Sequence, residues 1–192
     1  MNEGREMKIY EERVTPLIWA IDRGDIAEAG ALLEEGADPN QPGEYGSVPL
    51  SVAARKDDQT FMKILLEKGA NVNGDINNGD DWPLLSAVSY AIHNDEDWDN
   101  YYFLIKSGAN INSLYGTGPR PSSIGGSMIG IGRYNKAVEL VEMGYNVNLE
   151  SMLEVARRRL VSDDEEPFRQ RLIKKLEYKG IKGSTPKVDS TP

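Results

Sequence analysis

Cysteine is absent from the chain, which excludes disulfides, thiolate nucleophiles and cysteine-ligated zinc. Histidine is almost as scarce: His93 stands alone, with no second imidazole, no thiol and no evident triad partner. The sequence contains no G-x-S-x-G nucleophile turn. It also has no uncharged apolar run long enough to span a bilayer, and the opening MNEGREMKIYEERV lacks the apolar core of a signal peptide. These absences lead us to expect a soluble, cytoplasmic protein that is not an enzyme and holds no cofactor or metal. A signal peptide removed ahead of Met1 would leave no trace.

What is present suffices for a core. A hydrophobic fraction of 39% over 192 residues argues for one folded domain and against wholesale disorder. The formal net charge of −9 disfavours nucleic acid and anionic membrane surfaces as partners and favours a basic protein. That charge is uneven. Residues 1–150 carry 12 Lys and Arg against 24 Asp and Glu, whereas residues 151–192 carry 10 against 7.

One short phrase recurs: GADPN at Gly36–Asn40, GANVN at Gly69–Asn73, GANIN at Gly108–Asn112 and GYNVN at Gly144–Asn148. The glycines are 33, 39 and 36 residues apart, and Gly180, in EYKGI, lies 36 further on without the trailing Asn. Apolar residues precede each phrase at helical spacing, as in Tyr134, Ala137, Val138 and Val141. Each phrase therefore marks a helix end, where Gly readily takes the left-handed conformation. A second phrase, Thr15-Pro16-Leu17, Val48-Pro49-Leu50 and Trp82-Pro83-Leu84, opens helices, because Pro in the first turn loses no hydrogen bond and Thr15 can cap.

Helix, turn, helix and polar loop at this period resembles the ankyrin repeat family, with its T-P-L opening and its L-L-x-x-G-A-x-x-N closing phrase. The similarity is clear over Thr15–Asn73, weaker over Trp82–Asn112, and partial over Ser122–Asn148. The usual His of the opening phrase is replaced by Ile18, Ser51 and Leu85, and the third repeat is lengthened around AIHNDEDWDN. The expected fold is an all-α solenoid of stacked helix-turn-helix units with polar hairpin loops. A lead-in at 1–14 precedes repeats near 15–47, 48–81, 82–121 and 122–150, a cap at 151–181 and a flexible tail at 182–192.

The resemblance implies a protein-binding module that uses loop tips and the exposed side of each first helix. Carried over residue by residue, the tips are Glu44, Tyr45 and Ser47, then Asn77, Asn78, Asp80 and Asp81, then Leu114, Tyr115 and Thr117. First-helix positions are Asp22, Arg23, Arg55, Lys56, Ser89 and Tyr90. This set combines acids with tyrosines, the latter common at interface hot spots. It points to a monomeric binder of a basic protein, or more narrowly to a dedicated inhibitor, such as an immunity protein or antitoxin against a basic toxin.

Other segments favour structural roles. SIGGSMIGIG, Ser123–Gly132, holds four glycines but lacks the strand and the G-x-G-x-x-G order of a dinucleotide site, and has no P-loop Lys. Its register makes it the first helix of the fourth repeat. Its glycines would let it pack closely, against Tyr90 or Trp82, at a cost that makes this repeat the weakest. Asp95–Asp99 begins like a calcium loop, but Lys106 occupies the position of the bidentate Glu, so a metal-dependent regulator or enzyme using this loop is only an alternative. Asp163–Glu166 reads as the first turn of a last helix through Tyr178, Arg157–Arg159 as the polar face of a cap, Trp82 and Trp98 as core, and His93 as an exposed loop residue.

Overall fold

The computed structural model describes residues 14–44, 46–74, 82–116 and 122–182. Ten helices lie among the described residues, in pairs. They are α1 (Pro16–Arg23) and α2 (Ile26–Glu34), α3 (Pro49–Ala53) and α4 (Thr60–Glu67), α5 (Pro83–His93) and α6 (Asp99–Lys106). Two-residue strands β1 (Leu114–Tyr115) and β2 (Ser122–Ser123) follow. The last pairs are α7 (Ile124–Gly130) with α8 (Tyr134–Glu142) and α9 (Leu149–Arg158) with α10 (Glu166–Tyr178). The chain divides into two compact units, Met1–Asn110 with Tyr115–Gly118, and Ile111–Leu114 with Pro119–Pro192.

The helices start and stop for the reasons the phrases suggest. Pro16, Pro49 and Pro83 each open a helix, and Thr15 Oγ1 accepts from Ile18 N at 3.2 Å. Five second helices close identically: the N–H of the residue after Gly36, Gly69, Gly108, Gly144 and Gly180 returns to the carbonyl five residues back. Ala37 N to Leu32 O is 2.9 Å and Ile181 N to Leu176 O is 3.2 Å, with φ of +95° at Gly36 and +78° at Gly180. This closure satisfies the carbonyls a helix end leaves orphaned. It identifies Gly180, which lacks the trailing Asn, as the end of a fifth pair.

The trailing Asn joins one repeat to the next. Asn40 Oδ1 accepts from Asn71 N at 2.6 Å, Asn73 Oδ1 from Asn110 N at 2.7 Å, and Asn112 Oδ1 from Asn146 N at 2.8 Å. A periodic side chain thus becomes a periodic hydrogen bond between neighbouring loops. In the first compact unit α1, α3 and α5 pack side by side, burying Leu17, Ile21, Leu50, Ala53, Ala87 and Ala91. Asn100, itself buried, donates through Nδ2 to Ala54 O (3.2 Å) and Lys56 O (2.7 Å), and so caps the short helix α3 from the next repeat.

In the second compact unit the glycine-rich segment is indeed a first helix. Ser123 Oγ caps α7 by accepting from Gly126 N at 3.3 Å. At the other end Arg159 Nη1 donates to the carbonyls of Ile129 (3.2 Å) and Gly130 (2.5 Å). The bulky neighbour is Tyr145 of the same repeat, in place of the expected Tyr90 or Trp82. Only Gly125 is required by it, since a Cβ there would lie 2.6 Å from the Tyr145 ring. Helix α9 begins at Leu149, two residues before the expected boundary at 151, and the acidic run does lead into α10.

Candidate functional site

The first-helix positions expected to face a partner form a charge-compensated strip. Lys56 Nζ reaches Asp22 O at 2.6 Å and Asp22 Oδ1 at 3.2 Å. Arg23 lies over the Trp19 ring, 5.5 Å from its centroid, and donates to Asp25 and Glu28. Arg55 Nη1 donates to Ser86 Oγ at 2.9 Å. Asp22, Arg23 and Arg55 are exposed and Lys56 half-buried; Lys56 is offset by Asp22 and Arg23 by Asp25 and Glu28, so much of the strip's field cancels.

The loop-tip positions separate. Glu44 and Leu114 are exposed and Ser47 is half-buried. Tyr45, Asn77, Asn78, Asp80, Asp81 and Thr117 lie outside the described residues.

Two expected contact tyrosines are buried. Tyr90, expected on the exposed side of its first helix, stands seven residues after Pro83, as Lys56 does after Pro49. Helix α3 ends at Ala53, however, and α5 continues to His93, so Tyr90 lies mid-helix with its hydroxyl donating to Asp57 Oδ1 at 2.8 Å. Burial, and then the Asp57 hydrogen bond, push its pKa up to about 12. Tyr115 is also buried, its ring 5.9 Å from that of Trp82. Trp82 and Trp98 are both core. His93 is exposed, but ends α5 instead of lying in a loop.

The uncompensated charge lies elsewhere, at the turns between paired helices. Asp57, Asp58, Asp97 and Asp99 converge with Gln59, Lys63 and Asn100 around an open depression of about 340 Å³. Two of these acids order the chain beside it. Asp58 accepts from Thr60 N (2.9 Å) and Thr60 Oγ1 (2.8 Å), bonds that hold its carboxyl below the usual range, and Asp97 accepts from Asp99 N (3.0 Å). In the Asp95–Asp99 turn Glu96 accepts from Trp98 Nε1 at 3.0 Å. Among the described residues no three His or acidic side chains are grouped to hold a metal ion. Asp57 and Asp58 are about forty residues from Asp97 and Asp99, and no local motif announces their meeting.

Paired helices, glycine closures and an Asn ladder define the helical repeat class. Within it, residues 2–76 match the family model for ankyrin repeats (3 copies). The crystal structure of the human ASB11 ankyrin repeat domain superposes with a TM-score of 0.60 at 24% identity, covering 90% of this chain and 78% of that one. The chain thus has the fold of an ankyrin repeat domain, and its first part matches the sequence pattern of ankyrin repeats. Ankyrin repeats are protein–protein interaction modules. No described helix is long and apolar enough to cross a membrane.

Proposed function

We propose that this chain binds a basic partner protein, and that the acidic depression of the first compact unit is the principal contact. The observation that carries this reading is the convergence of Asp57, Asp58, Asp97 and Asp99 on one open surface, where Lys63 is the single lining cation among the described residues. The first compact unit as a whole has 9 Lys and Arg against 21 Asp and Glu. Such a surface raises the association rate of a cationic protein and makes its capture salt dependent, with screening over about 8–10 Å at physiological ionic strength. Exposed Asp22, Arg23, Arg55 and Glu44 of the same unit supply secondary contacts. The narrower role of a dedicated inhibitor, including an immunity protein or antitoxin, is supported by the same charge alone.

The test is capture from native lysate at low and high salt, using the wild type and the isosteric Asp57→Asn/Asp97→Asn/Asp99→Asn variant. A basic protein held by the wild type, released by salt and not captured by the folded variant supports the reading. Equal capture by both, or none at either salt, overturns it.

A further inference from the structure

We infer that the cleft between α7 and α9 is a second docking site, shaped for a short partner segment that presents an apolar side chain followed closely by a carboxylate. It uses none of the residues of the acidic depression and does not depend on the basic-partner reading.

Repeat register explains why the cleft exists. Ser123 corresponds to Thr15, both capping the helix nitrogen three residues on (3.3 and 3.2 Å), and Gly132 to Gly24, with φ of +82° and +77°. The same offset of 108 places Gly126, Ser127 and Gly130 where the first repeat has Ile18, Trp19 and Asp22. Three side chains that would cover this side of the helix are thereby cut away. What remains is an open cleft of about 350 Å³, its walls including Ser127, Gly130, Ser151 and Val155 over Ile129 and Met152.

The fold itself does not require a glycine at position 130, where a Cβ would meet nothing within 4 Å; at Gly126 a Cβ would press on Ser123 Oγ at 3.3 Å, and at Gly125 it would run into Tyr145. Glycine within a helix costs about 0.5–1 kcal/mol relative to alanine. The chain therefore keeps an apolar-floored cleft open to water at some expense of stability, and Val155 remains 37% exposed on its wall.

Charge selects the occupant. Ser151, Val155 and Arg158 follow one another at helical spacing along one face of α9, and a further depression bounded by Glu154, Val155, Arg158 and Arg159 continues from the cleft. Among the described residues the exposed Arg158 forms no ion pair or hydrogen bond. The second compact unit carries 13 Lys and Arg against 10 Asp and Glu, opposite in sign to the first. Val155 and Arg158 are separated by about 4.5 Å along the helix at 1.5 Å per residue, and an extended peptide advances about 3.3 Å per residue. An apolar residue and a glutamate one or two positions apart therefore span the two subsites.

The test is amide-detected NMR of the full chain with acetyl-Ala-Leu-Ser-Glu-Ala-amide and its lysine counterpart, acetyl-Ala-Leu-Ser-Lys-Ala-amide. The glutamate peptide is expected to shift the amides of Ser127, Gly130, Ser151 and Val155 and to bind at least about tenfold tighter than the lysine peptide, with Arg158→Glu reversing that order. Gly130→Leu, whose Cβ would meet nothing within 4 Å and whose side chain would fill the cleft, should abolish the shifts without lowering the melting temperature. Ser151→Leu fills the cleft from the opposite wall should the first variant not fold. Absence of shifts at these amides at millimolar peptide, shifts confined to the first compact unit, or binding unaffected by a folded cleft-filling variant would each overturn the inference.

Discussion

Gly125 and the ring of Tyr145 meet so closely that no other residue fits at position 125. A Cβ would fall 2.6 Å from Tyr145 Cε1 and Cζ. The ring cannot easily retreat, since Tyr145 is fully buried and its hydroxyl donates to Ser123 Oγ at 2.7 Å. Gly125→Ala is therefore expected to destabilise by about 1–3 kcal/mol, the usual cost of overpacking. In Gly30, which lies in helix α2 with open space at its Cβ, the same change should stabilise by about 0.5–1 kcal/mol. Denaturant unfolding of the two variants checks both signs. A mild Gly125→Ala would show that the ring can yield.

The Asn ladder separates the acceptor from the rest of the side chain. Asn73 contributes only its carbonyl oxygen to Asn110 N, so Asn73→Asp keeps an acceptor that Asn73→Ala lacks. The alanine variant should lose about 0.5–1.5 kcal/mol and the aspartate variant less. Asn100→Leu should cost more, about 1–3 kcal/mol, because the carbonyls of Ala54 and Lys56 both lose a buried donor. Thermal melts of the three variants give the order, and equal losses would contradict it.

Most of the helical architecture could be read from punctuation, because proline and glycine act on the backbone locally and their spacing survives side-chain divergence. Thr15 could be recognised as a cap for that reason, and Gly180 as a fifth candidate closure, whereas the equivalent cap at Ser123 emerged only from the structure. Tyr90 and Tyr115 were misplaced because their exposure depends on where a helix ends and on what a loop folds against. The longer α5 places Tyr90 mid-helix, and Tyr115 reaches back to Trp82 across 33 positions. The acidic depression was hidden for a related reason: Asp57 and Asp99 are neighbours only once two helix turns lie side by side. Even the glycine-rich helix, correctly placed by register, gave no sign that Tyr145 was its partner.

Glu166 gives a pH dependence of definite sign. Hydrogen bonds from Arg169, then from Gln170, hold its carboxyl at about 2, below its ordinary 4.5. A depressed carboxylate stabilises the fold above the unfolded pKa, and that contribution fades as pH falls from about 4.5 toward 2. Wild type and Glu166→Gln should therefore differ in melting temperature near neutrality, by the modest amount an exposed pair supplies, and converge only as pH falls to about 2. A constant difference across that range would place the stabilisation in something other than ionisation.

Tyr90 titrates in the opposite sense. Burial first, and Asp57 second, hold its hydroxyl protonated up to about 12, against an ordinary value of 10. A raised tyrosine pKa stabilises the fold below pH 10, and the contribution is lost as pH rises through about 12. Tyr90→Phe removes the donor to Asp57 but leaves that exposed carboxylate to water, so the loss at neutral pH should be only about 0.5–1.5 kcal/mol. Absorbance titration of the phenolates distinguishes the wild type from the variant. The variant should lack one late-titrating group, and loss of a group near pH 10 instead would show that the Asp57 contact does not persist in solution. Because Tyr90 and Asp57 join the third repeat to the acidic depression, the same titration reports whether that surface is held in place.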